Sequence, residues 1–89
     1  MTTNDITPPT VHLNGTSSDG LVEPLIDAYE KLGDALDSLM QTSPNARDYY
    51  VQPEGAIERA TTEHVARMRQ VSAVRDDIEN LISAIRDQA

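Results

Sequence analysis

Cysteine is absent from these 89 residues, and so are phenylalanine and tryptophan. Without cysteine there are no disulfides and no thiolate metal sites, and a reducing, intracellular compartment fits. A chain of this length makes one domain at most and buries a small share of its surface, so self-association is the staple that remains. No run approaches the roughly 18 to 20 consecutive apolar residues of a membrane span. The opening MTTNDITPPT has no basic region followed by an apolar core, so a soluble, untargeted, cytoplasmic protein is expected. Positive charge is scarce as well. Seven Lys and Arg stand against fifteen Asp and Glu, a formal charge of −8, which argues against holding nucleic acid by its phosphates.

What is present is helical periodicity. Val22, Leu25, Tyr29, Leu32, Leu36 and Leu39 recur at spacings of three and four, with Ile26 and Met40 widening the stripe. Ser17, Ser18 and Asp19 offer N-terminal caps, Pro24 is expected in the first turn, and Ser43-Pro44 ends the segment. The pattern predicts a helix over about 20–42. A second stripe, Ile57, Ala60, His64, Arg67, Val71, Val74, Ile78, Leu81 and Ile85, predicts a helix over about 55–88, with Pro53 and Glu54 at its start. The fold class is therefore all-α: an antiparallel two-helix hairpin (18–89) behind an extended N-terminal arm (1–17), assembling as an oligomer because two helices enclose a core with one open side. Gly33, beside the first stripe, weakens its helix unless another backbone comes close there. The longer second helix is expected to project its apolar C-terminal end, with Val11 and Leu13 of the arm or a second copy covering it.

The connector, 43–54, raises the functional question. Two of the three tyrosines, Tyr49 and Tyr50, lie there beside Asn45, Arg47, Asp48 and Gln52, and the nearby start of the second helix places His64 and Arg67 at apolar positions. Guanidinium, amide and aromatic faces together suit a small, planar, phosphate-bearing ligand such as a nucleotide, so Asn45, Arg47, Tyr49, Tyr50, His64 and Arg67 are the candidate ligand-binding residues. The competing reading is structural: the tyrosines close the end of a hairpin core, and Arg47 pairs with Asp48. A second functional class rests on Asp27, Glu30, Asp34 and Asp37, an acidic stripe on the outward face of the first helix, suited to a basic protein surface. Two histidines do not make a metal site, and no glycine-rich elbow or phosphate loop supports catalysis, so a protein without metal, cofactor or enzymatic activity is expected.

The segments VHLNGTS, then a helix, then PNARDYY, then the Glu63-His64 pair, resemble small uncharacterised proteins encoded by tailed bacteriophages and prophages, over most of residues 11–70. Where that group carries glycine, this chain has Ala46, so a role that needs glycine there does not carry over. The resemblance implies a phage setting, in which small non-enzymatic accessory proteins counter host defence. Some of these, the anti-CBASS and anti-Thoeris sponges, are small helical oligomers that sequester signalling nucleotides; this chain lacks their motifs and matches them in size and architecture alone.

Overall fold

The computed structural model describes residues 6–88, which hold two helices, α1 (Ser18–Met40) and α2 (Ala56–Arg86), joined by a connector containing one 3₁₀ turn (Ala46–Asp48). Among the described residues there is no strand, as the two helical periodicities predict. The helices run antiparallel: Tyr29 meets Arg75, Ser43 meets His64, and Val22 packs with Ile82 and Ile85.

α1 starts earlier than the sequence suggests. Ser17, extended at φ −63° and ψ 158°, accepts from the Gly20 N–H at 3.0 Å, and Asp19 adds a favourable charge in the first turn. Pro24 therefore falls in the second turn, where it removes the amide that would bond the Gly20 carbonyl. Gly20 is exposed, so water takes that carbonyl, while the two extra residues bring Leu21 and Val22 onto the core. At the other end Gln41 caps the helix, and the hydroxyls of Thr42 and Ser43 donate to the carbonyls of Leu39 and Met40 at 2.7 and 2.8 Å. These bonds stop α1 at Met40 rather than at residue 42.

α2 begins after a left-handed residue. Gly55, at φ 91°, is the only described residue with positive φ, a conformation in which any other residue meets its own Cβ. Pro53 and Glu54 thus lie before the helix instead of in its first turn, and Glu58 is the first-turn acid.

The core gathers at the end opposite the connector. Ile85 is fully buried and Val22 and Ile82 nearly so, with Val11, Leu21, Leu25, Ile26 and Ile78 packed around them. Val11 comes from the arm and covers the end of α2, one of the two arrangements expected for it, although Leu13 does not join it. Gln88 holds it at both edges, its Oε1 accepting from the Val11 N–H at 2.8 Å and its Nε2 donating to the Pro9 carbonyl at 2.7 Å. The arm then turns at His12–Gly15, where the Gly15 N–H donates to the His12 carbonyl, and Leu13 stays fully in solvent. Residues 1–5 of the expected arm lie outside the described residues.

With Val22 level with Ile82 and Ile85, the end of α2 is covered and it is the start, Ala56–Glu63, that overhangs α1. This reverses the expected projection. The connector explains it: instead of a tight turn, it runs back beside the first turns of α2, burying Ala56.

Candidate functional site

The connector is a chain of small closed turns. The Asn45 side chain accepts from the Arg47 N–H at 3.0 Å, and the amides of Asp48, Tyr49 and Gln52 donate to the carbonyls of Asn45, Ala46 and Tyr49. Its backbone is thereby fixed although little of it is buried. Ser43 and His64 make the contact that ties it to α2, with Oγ and Nε2 3.2 Å apart. Ser43 already donates to the Met40 carbonyl, so His64 is the donor in this pair and carries its proton on Nε2. His64 is buried, as a histidine that packs and is satisfied.

The two tyrosines separate. Tyr49 is half-buried and lines a groove with Gln52, Ala56, Arg59, Ala60 and Glu63, so it covers the overhanging start of α2. Tyr50 is 80% exposed and closes no core. Both line a second groove, of about 270 Å³, with Gln52, Pro53, Gly55, Glu54 and Glu58. Arg47 is exposed, and among the described residues it forms no ion pair with Asp48. The structure thus brings Tyr49, Tyr50 and Gln52 together and adds Arg59, whose Nη1 lies 2.9 Å from the position a Cβ on Gly55 would take. Neither groove is lined by Asn45, Arg47 or Arg67.

Arg67 is the largest departure from the stripe read in the sequence. Its side chain is 61% exposed and lies 3.9 Å from Glu63, one turn back. The buried line of α2 keeps His64, Val71, Ile78 and Ile85 but takes Met68, Arg75 and Ile82 as its second column, so Arg67 lies outside it and Arg75 takes the inward place given to Val74. At about 100° per residue, the column of Met68, Arg75 and Ile82 lies one residue on from that of Arg67, Val74 and Leu81, and it is this neighbouring column that turns toward α1. Arg75 sits with its guanidinium carbon 3.9 Å from the centre of the Tyr29 ring, and its Nε donates to the Tyr29 carbonyl at 3.1 Å. Gly33 provides the room: a Cβ there would stand 2.7 Å from Arg75 Nη2. The close approach at Gly33 is thus by a side chain, not by the backbone expected.

The acidic stripe is exposed throughout. Asp27 holds Lys31 at 2.6 Å; that hydrogen bond, the charge of Asp27, and the further charges of Asp34 and Glu30 raise the Lys31 pKa. Glu30, Asp34 and Asp37 line an open groove of about 490 Å³ with Gly33 and Arg75. Among the described residues no group of three or more His, Asp or Glu is placed to hold a metal ion. No helix there is long and apolar enough to cross a membrane.

Arg59, Arg75 and Ser43 are the site residues that periodicity alone did not reveal. For Arg59 the signal was a glycine four residues earlier, and for Ser43 its place before the helix-ending proline. Arg75 gave none, because an arginine inside a stripe is legible only once its aromatic partner is known. Compared with protein-family models, with curated proteins and with solved structures, the chain matches none.

Proposed function

We propose that this chain is a non-enzymatic accessory protein that self-associates and binds a small phosphate-bearing ligand, nucleotide-like in chemistry, at the connector. The observation that carries the reading is Tyr50: an aromatic ring 80% exposed on a backbone held by four hydrogen-bonded turns and caps. A hairpin gains nothing by displaying it, whereas a stacking platform requires it. Tyr49 and Tyr50 supply the stacking faces and Gln52 and Asn45 the amides. Arg59 shares a groove with Tyr49, and Arg47 and Arg67 are exposed guanidinium groups of the same half of the hairpin. The resemblance to phage-encoded proteins agrees with capture of a host defence signal in the host cytoplasm.

Native mass spectrometry of the protein as purified tests this. Reproducible added mass, lost in Tyr50→Ala and Arg59→Ala with unchanged helix content, supports the reading. An added mass indifferent to both substitutions, or none in any preparation, refutes it.

A second reading has its own observation, the exposed acidic flank of α1, where Glu30, Asp34 and Asp37 line one open groove. It makes the acidic flank of α1 the docking surface for a basic protein. Reversal of Asp34 and Asp37 to Lys then abolishes salt-sensitive partner capture while Tyr50→Ala leaves it intact.

A further inference from the structure

The heptad stripes have two columns, and one faces the other helix more squarely, although Leu25 of the second also touches the core. Val22, Tyr29 and Leu36 of α1 face α2, as His64, Val71, Ile78 and Ile85 face α1. Leu25, Leu32 and Leu39, seven apart, form the second column of α1, and Val74 and Leu81 form that of α2. Leu32 and Val74 precede Gly33 and Arg75 by one residue, about 100° around their helices. Because the helices are antiparallel, that rotation leads to the same side of the hairpin in both, away from the groove of Glu30, Asp34 and Asp37. All four leucines are half-buried and Val74 is 49% exposed, so this side is apolar and uncovered.

We propose that a second copy of this chain covers the side carrying Leu25, Leu32, Leu39, Val74 and Leu81, packed antiparallel about a two-fold axis beside Leu32 and Val74. This rests on the self-association in the functional reading and specifies its face and symmetry.

Area is the first argument. The chain exposes 6577 Å². A compact monomer of 9.8 kDa exposes about 5,200 Å². The excess is about 1,400 Å², shared by the exposed arm, the connector and the flanks of an elongated hairpin, and the roughly 800 Å² each partner buries in a standard interface fits within it. Charge is the second. A chain of −8 meets its own copy with least repulsion through the side without acids on α1, which sends the two acidic stripes to opposite outer surfaces. Periodicity is the third: Leu25, Leu32 and Leu39 of α1 beside Val74 and Leu81 of α2, bounded by Arg67 and Gln88 in the same column, make a short apolar seam of the kind that joins two hairpins in a four-helix bundle.

The arm sets the direction of the axis. Gln88, seven residues after Leu81 in the same column, clamps Pro9 and Val11, so the arm occupies one end of this side. An axis parallel to the helices would stack the two arms on each other. A perpendicular axis sends them to opposite ends and brings each arm, with Leu13 fully exposed, to the partner's connector. The second copy thereby completes the wall that the open grooves at Tyr49 and Tyr50 lack.

The absence of cysteine makes the test direct, since each single-cysteine variant reports one contact. A disulfide needs Cα atoms within about 7 Å. Under mild oxidation most of the Val74→Cys chain should become a disulfide-linked pair, while Leu81→Cys, off the axis, and Val65→Cys, on the other flank, stay unlinked. Circular dichroism of reduced Val74→Cys should match that of the parent. Linkage at Leu81→Cys in place of Val74→Cys overturns the antiparallel axis, and linkage at Val65→Cys overturns the face. A pair in native mass spectrometry with no Val74→Cys linkage overturns this arrangement and leaves self-association standing; a single-chain mass at all concentrations removes both.

Discussion

Replacing Gly33 by alanine isolates the contact that most distinguishes this hairpin from a generic one. In an exposed helix interior the change stabilises by about 0.8 to 1 kcal/mol. Here the new methyl would stand 2.7 Å from Arg75 Nη2 and 3.0 Å from its Cζ, so the guanidinium has to leave the Tyr29 ring. Two interactions are at stake: the hydrogen bond from a charged donor to the Tyr29 carbonyl, about 1.5 to 3 kcal/mol, and a partly exposed cation–π contact of about 0.5 to 1 kcal/mol. Arg75 is flexible and half-buried, so it recovers part of that loss in solvent. The net expectation is a destabilisation of about 0 to 1 kcal/mol in the parent and a gain of about 1 kcal/mol in an Arg75→Ala background. The coupling is then about 1 to 2 kcal/mol. Urea unfolding of the four proteins by circular dichroism, at one fixed protein concentration, measures it. Equal stabilisation by Gly33→Ala in both backgrounds would refute the seating of Arg75 on Gly33.

Three further outcomes follow from the packing and backbone. Ile85→Ala empties the one fully buried large side chain and should cost about 2 to 5 kcal/mol in urea unfolding. Pro24→Ala restores the amide that the Gly20 carbonyl lacks, and the melting temperature should rise, the gain reaching at most about 3 kcal/mol. Gly55→Ala forces a left-handed alanine at φ 91° against Arg59 Nη1, and should lose about 1 to 2 kcal/mol, read from thermal melts.

The two helices were legible in the sequence because apolar spacing of three and four, serine caps and a helix-ending proline act locally. What misled was of longer range. Pro24 was expected in the first turn because a proline's own preference says so; burial of Leu21 and Val22 by a helix sixty residues away decided otherwise. Arg67 was placed inward because the column beside His64, Val71, Ile78 and Ile85 can be taken on either flank; the one that meets α1 is Met68, Arg75 and Ile82. The same choice of column hid Arg75, since its partner Tyr29 lies 46 residues off. Of the connector, sequence composition identified the tyrosines and their amide neighbours, but not which ring faces solvent. That depends on the connector running back along α2, a consequence of Gly55 adopting positive φ, which no spacing encodes.

The proposed pairing through the outward column of each heptad stripe is the claim on which the rest depends. Sedimentation equilibrium of the full chain over a wide concentration range tests it most directly. The account predicts a mass at least twice the 9.8 kDa of one chain, falling to that value in Val74→Glu without loss of helix content. A parent protein that sediments as 9.8 kDa throughout would contradict it.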